Sequence, residues 1–239
     1  MIKLKYFYYF PLIFALLACE KPVFEPLPPR ARTYLHFLNA HAGFEAIDVR
    51  VTSYQQEQAL SQNLTFLDSW PKGGYASLLT VPDEDTLRNI QGGVSINILN
   101  SATQATIIPS TPLKMSKDIR ATLCLVDSFG KPILVKTIDV VPDPTDTVAQ
   151  VRFMNVNSYN LSVSLTASDS EVQIQNLNFL NYSSFYRMPE GVYTFYFVDD
   201  FSGQVIDSIP QLNISRHQIY NFFLASNNGK AVGGVEKLE

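Results

Sequence analysis

Charge, cysteine, histidine and tryptophan are all scarce in this 239-residue chain. Lys, Arg, Asp and Glu make up 17% of it, and the formal net charge is −4. No basic block exists, so the electrostatic footprint of a nucleic-acid binder is missing. The three histidines, His36, His41 and His217, have no second histidine or carboxylate at ligand spacing, so no metal site is expected through them. No G-x-S-x-G elbow, phosphate-binding glycine loop or EF-hand pattern occurs. The adjacent acids of Asp83-Glu84-Asp85 and Asp199-Asp200 sit in Pro- or Gly-bounded turns, where such pairs are mostly solvated. No cofactor, catalytic residue or enzymatic activity is expected.

The longest apolar run, Tyr6 to Leu17, is interrupted by Pro11 and is too short for a hydrocarbon layer of ~30 Å. Lys3 and Lys5 before it, and a small residue after it, give the pattern of a secretory signal. Leu16-Leu17-Ala18-Cys19 looks like a bacterial lipobox, in which cleavage before Cys19 accompanies attachment of a diacylglycerol to its sulfur. Palmitate-type acylation at Cys19 then anchors the protein instead of spanning the membrane, at about 0.8 kcal/mol per buried methylene. Glu20, not Asp, follows Cys19, so the inner-membrane retention signal of enterobacteria is missing and the outer membrane is expected, on either leaflet. Pro22, Pro26, Pro28 and Pro29 stiffen the next dozen residues into an extended tether. With Cys19 acylated, Cys124 has no disulfide partner.

What the chain does have is Tyr, Phe, Val, Ile, Thr and Asn between turn residues, a composition for strands. It also has an internal repeat. "YLHFLNAHAGFEAIDVRV" from Tyr34 resembles "QVRFMNVNSYNLSVSL" from Gln150, and "NLTFLDSW" at Asn63 resembles "NLNFLNYS" at Asn176. "GGVSINILNSATQATI" at Gly92 resembles "EGVYTFYFVDDFSGQVI" at Glu190, and "LVDSFGKPILVKTI" at Leu125 resembles "LASNNGKAVGGVEKL" at Leu224. Within the blocks the apolar period is two: Ile47, Val49 and Val51 alternate with Asp48 and Arg50. Helix-length 3.6 periodicity is missing after the leader. Together these features specify an all-β protein of two tandem antiparallel, immunoglobulin-like β-sandwiches. Residues 1–18 form the signal peptide, 19–32 the lipidated cysteine and tether, 33–140 the first sandwich, 141–147 the linker and 148–239 the second.

The strand pattern "LHFLNAHAGFEAIDVRV" and the link "VPDPTDTVAQVRFMNVNS" resemble the family called domain of unknown function 4397. Asn39-Ala40 and Ala46-Ile47-Asp48-Val49-Arg50-Val51 carry that pattern in the first unit; Asn155-Val156 and Leu161-Ser162-Val163 carry a weaker version in the second. The usual Ser-Pro-Asp-Ala-Pro turn is replaced by His41-Ala42-Gly43-Phe44-Glu45. The resemblance implies tandem β-sandwich envelope lipoproteins of Bacteroidota-like bacteria. It brings no activity and no catalytic residue.

Two features point toward binding. The repeat, aligned from its glycines, sets Tyr193 and Phe195 where Ser95 and Asn97 stand, which predicts an aromatic outer face in the second unit only. Such a face is covered either by the neighbouring sandwich or by a ligand, and Tyr and Phe suit sugar rings. The other feature is Trp70-Pro-Lys-Gly-Gly-Tyr75, with the only tryptophan in a Gly-rich loop; Trp70 and Tyr75 serve there as binding residues or as a lid. The alignment also pairs His36 with Arg152 on the outward side of the first strand, which predicts exposure, whereas Cys124 falls in a strand apolar on both faces and is expected to be buried and inert. Asp85-Thr86-Leu87, Asp146-Thr147-Val148 and Asp207-Ser208-Ile209 match an O-glycosylation triplet of some Bacteroidota, making Thr86, Thr147 and Ser208 candidate acceptors. The expected function is a non-catalytic, lipid-anchored module that binds an envelope protein or a glycan. A structural or adhesin-like assembly subunit is the alternative, and a hydrolase with a dispersed carboxylate pair the third.

Overall fold

The computed structural model describes residues 31–53, 56–72, 76–80, 94–113, 120–139, 147–159, 162–168 and 170–238. Cys19, the tether up to residue 30, Tyr75, Thr86 and the acids 83–85 lie outside the described residues, and Ala31 and Arg32, expected in the tether, belong to the first strand. In the first half the strands are β1 (Ala31–Ala40), β2 (Ala46–Ser53), β3 (Gln56–Thr65), β4 (Ser69–Trp70), β5 (Ala76–Thr80), β6 (Val94–Asn100), β7 (Thr106–Leu113), β8 (Arg120–Ser128) and β9 (Lys131–Asp139). In the second they are β10 (Ala149–Asn155), β11 (Ser162–Ala167), β12 (Gln173–Asn178), β13 (Tyr186–Met188), β14 (Gly191–Asp199), β15 (Val205–Ile214), β16 (Ile219–Asn227) and β17 (Lys230–Leu238). The all-β class expected from composition is observed.

The strands form four sheets. β3-β2-β6-β7 and β12-β11-β14-β15 are outer sheets; β4-β1-β8-β9, with β5 also on β1, and β13-β10-β16-β17 are inner ones. The alternation read from sequence explains the outer sheets. Ile47, Val49, Val51, Ile96 and Ile98 turn inward against Leu35, Phe37, Leu123 and Leu125 of the adjacent inner sheet. Val163, Leu165, Phe195 and Phe197 do the same against Phe153, Phe222 and Leu224. The central inner strands β1, β8, β10 and β16 are covered on both faces. Leu38, Ala40, Cys124 and Val126 from one inner sheet meet Met154, Val156, Phe223 and Ala225 from the other in a third core. Continuous runs such as Leu123-Cys-Leu-Val126 and Phe222-Phe-Leu-Ala225 are what a strand covered on both sides requires.

Two sequence expectations need correction. The sheets are not wholly antiparallel: β1 runs parallel to β8, and β10 parallel to β16. Between β1 and β8, and between β10 and β16, the chain runs through the outer sheet and through short edge strands of the inner one, and that long excursion is what permits a parallel neighbour. The second correction concerns register. The Asn100 N–H bonds the Ala105 carbonyl, and the Asp199 N–H bonds the Gln204 carbonyl, so Asn100 and Asp199 open equivalent turns. Counting back, Phe197 corresponds to Ile98 and Phe195 to Ile96. The alignment taken from the glycines is one residue out, and a slip of one exchanges the two faces of a strand.

Candidate functional site

A cluster of buried polar and charged groups lies at one end of the seam between the inner sheets. Arg152, on β10, is 1% exposed; its Nη1 donates to Asp139 Oδ1 on β9 at 2.6 Å, and its Nε donates to Asn221 Oδ1 at 3.1 Å. Asp139 also accepts from the hydroxyls of Thr122, at 2.6 Å, and Thr137, at 3.1 Å. The guanidinium lies over the rings of Phe185, 4.8 Å from the centroid, and Tyr182, 5.7 Å away. On the other side, His36 Nε2 of β1 pairs with Glu236 Oε2 of β17 at 2.6 Å, and the Ser69 hydroxyl bonds the same carboxylate. Each half therefore offers a basic residue from its first strand to a carboxylate on the last strand of the other half. That reciprocity is the pattern of a two-fold interface built within one chain.

His36 is thus buried, as is Arg152, and their expected exposure is overturned. The reason is the third core: the side of β1 and β10 read as outward is the side covered by the other inner sheet. Two signals could have found this, the runs apolar on both faces and the pairing of His36 with Arg152 in the repeat. His41 is also buried rather than at the surface, stacked on Phe44 with ring centroids 4.6 Å apart. Its Nδ1 accepts the Gly43 N–H at 3.0 Å, and burial pushes its pKa below the ordinary imidazole value, against an opposing pull from Asp127. His217 is exposed in a turn. Cys124 is buried among apolar groups, which raises its thiol pKa far above the usual range.

The aromatic residues proposed as a surface do not form one. Phe195 is fully buried, its ring 4.2 Å from that of Phe222, and Tyr193 is half-buried against the same core. Trp70 belongs to β4, opposite Phe37, and packs on the first core instead of projecting from a loop. Thr147 is exposed in the bend before β10, and Ser208 is exposed on β15. Asp199 and Asp200 are both engaged: Asp199 Oδ1 accepts from the Ser202 N–H and hydroxyl within the turn, and Asp200 accepts from Ser162 and Ser164 of β11. Among the described residues, no group of three or more His, Cys, Asp or Glu side chains is placed to hold a metal ion.

Among the described residues, Phe129, Ile138, Tyr159, Tyr182 and Tyr186 are large apolar side chains exposed in other parts of the molecule, and four more gather on one sheet. Val192, Tyr196 and Val205, on β14 and β15, are 58%, 37% and 57% exposed, and Phe201 stands free at the tip of the turn between these strands. They occupy or border the outward face of the second outer sheet.

No family model matches the sequence, and no curated protein matches it. Solved structures do align. The C-terminal domain of AlgF from P. aeruginosa covers 38% of this chain and 98% of its own at 12% identity and a TM-score of 0.32. The tip fimbrial protein from Porphyromonas gingivalis covers 87% and 99% at 9% identity and a TM-score of 0.27. CBMbc from Eubacterium rectale, solved in complex with maltoheptaose, covers 85% and 96% at 10% identity and a TM-score of 0.25. At such scores these similarities carry no argument about function.

Proposed function

We propose that this chain is a non-catalytic, adhesin-like binding module, held at the bacterial outer membrane by acyl chains on Cys19. The observation that supports this reading is the use to which the ionisable groups of the seam and of the outer-sheet turns are put. Asp139, Arg152, His36 and Glu236 close the seam between the inner sheets. Asp48 and Asp200 tie outer strands to their turns, and the Cys124 thiol is sealed in the third core. A reactive centre needs such groups converging on open space, whereas here they are consumed by architecture. What the molecule offers a partner is its outer surface. Thr147, exposed at the end of the linker, is the best placed acceptor for an O-glycan.

The test is made in native cells. The wild-type protein should fractionate with outer membranes and yield an amino-terminal peptide beginning at an acylated Cys19, and Cys19→Ala should be released from the membrane. Photo-crosslinkers placed on exposed positions should capture a discrete surface component. An uncleaved, unacylated amino terminus overturns the anchor, and the lack of any captured component overturns the binding role. Cross-links between copies of the chain alone would instead assign an assembly role.

A further inference from the structure

The outer sheet of the second half contains almost no charge. β11, β12, β14 and β15 hold no Lys, Arg or Glu, and their two aspartates are occupied, Asp199 by Ser202 and Asp207 by the Gly233 N–H. A surface normally carries about 25–35% charged residues, so a whole exposed sheet face without one is a departure that needs a reason. The other outer sheet keeps the ordinary pattern: Asp48 and Arg50 stand on its outward side, joined through Gln104.

The pairing register sets a single row across this uncharged face. Gln173 of β12 pairs with Thr166 of β11, Thr166 with Tyr196 of β14, and Tyr196 with Ser208 of β15. Gln173, Thr166 and Tyr196 each lie between residues packed in the core below, and Ser208 is exposed beside the core residue Ile209, so all four point outward. At about 4.8 Å per strand the row is roughly 14 Å long, an amide and a hydroxyl on one side of an exposed ring and a hydroxyl on the other.

We propose that this row binds a neutral polysaccharide, a deepening that rests on the binding-module reading above. Hydroxyl and carboxamide groups both donate and accept, as sugar hydroxyls do, so each can meet a sugar without leaving a partner unsatisfied. The Tyr196 ring supplies an apolar plate for the C–H face of a pyranose. A missing charge matches a ligand without charge. A protein partner fits less well, because the buried centres of protein interfaces are enriched in aromatic residues, Met and Arg, and this row has one aromatic and no Arg.

The test uses the full acylated chain in detergent micelles, with an intact mass free of O-glycan. The probes are amylose, cellulose, xylan and mannan, with heparin and polygalacturonate as charged controls. At least one neutral polymer should retard the protein in affinity electrophoresis, equally at low and high salt. Tyr196→Ala, and separately Thr166→Lys, should weaken that retardation ten-fold or more while the melting temperature holds. Lys136→Ala, on β9, should leave it unchanged. Preference for the charged polymers, or neutral binding untouched by both row variants, overturns the proposal while leaving a binding module intact. So does protection of Tyr196 by a captured protein or by a second copy. A protein that captures nothing in cells overturns this reading and the broader one together.

Discussion

The ring of Phe197 occupies the space that a side chain on Gly233 would need: a β-carbon built on that glycine stands 2.1 Å from Phe197 Cε2. One residue on, and on the opposite face of β17, a β-carbon on Gly234 would stand 2.3 Å from the Phe223 ring. The first half fills the same places differently. Gly234 faces Phe223 where Val135 faces Cys124, and Gly233 stands where Leu134 does, with Ile98 in the place of Phe197. Volume lost on the edge strand is regained as an aromatic ring on its neighbour. Gly233→Ala and Gly234→Ala should each cost about 1–3 kcal/mol, the range for overpacking. In urea titrations, Gly234→Val combined with Phe223→Cys should recover much of what either change loses alone. Additive losses would dismiss the exchange.

The Asp139–Arg152 pair holds two charges out of water at the seam, so removing one partner should be expensive. Asp139→Asn leaves a buried guanidinium without its counter-charge, and about 3–5 kcal/mol should be lost. Replacing both residues by apolar ones of similar size should cost far less. Equal losses from the single and the double changes, measured by chemical denaturation, would mean that the pair is not the source of the effect.

Much of the architecture was legible because it rests on period and repetition. Ile47, Val49 and Val51 turn inward as their alternation requires, and the all-β class follows from such patterns. Tyr193 and Phe195 fall on the wrong face in the glycine-anchored repeat because sequence similarity tolerates a shift of one residue, and a strand's faces do not. His36 and Arg152 were misplaced for a different reason. A polar residue on an alternating strand reads as solvated, and only tertiary structure brings a second sheet over it. Trp70 precedes a loop-like Pro-Lys-Gly-Gly sequence and reads as part of it, but it is the last residue of β4. The row on the second outer sheet was invisible, because it joins four strands whose register the sequence does not state.

In each outer sheet a carboxylate and a serine tie a strand to the turn beside it, with their places exchanged. Asp48 on β2 accepts from the Ser101 hydroxyl in the turn at 2.6 Å, whereas Ser164 on β11 donates to Asp200 in the turn at 2.5 Å. Ser101→Ala should cost roughly 1 kcal/mol. The exchanged variant, Asp48→Ser with Ser101→Asp, should restore most of that loss by copying the second half. A double variant no better than the worse single one would refute the equivalence of the two sites.

His41 gives the fold a measurable dependence on pH. Its Nδ1 accepts the Gly43 N–H, so the ring is neutral with its proton on Nε2, buried and without a partner. Protonation would turn Nδ1 into a second donor facing the Gly43 N–H and charge a desolvated ring. Burial accordingly lowers the folded pKa, against the raising influence of Asp127. A base whose pKa is lowered by folding binds protons more readily when unfolded, so stability increases with pH across the interval between the two values. The contribution should be complete above the unfolded value of about 6.5 and should decline as pH falls from there through the folded pKa. His41→Gln cannot titrate, and its urea midpoint should change less than that of the wild type between pH 7 and pH 5. Parallel pH profiles for the two proteins would assign the slope to another group.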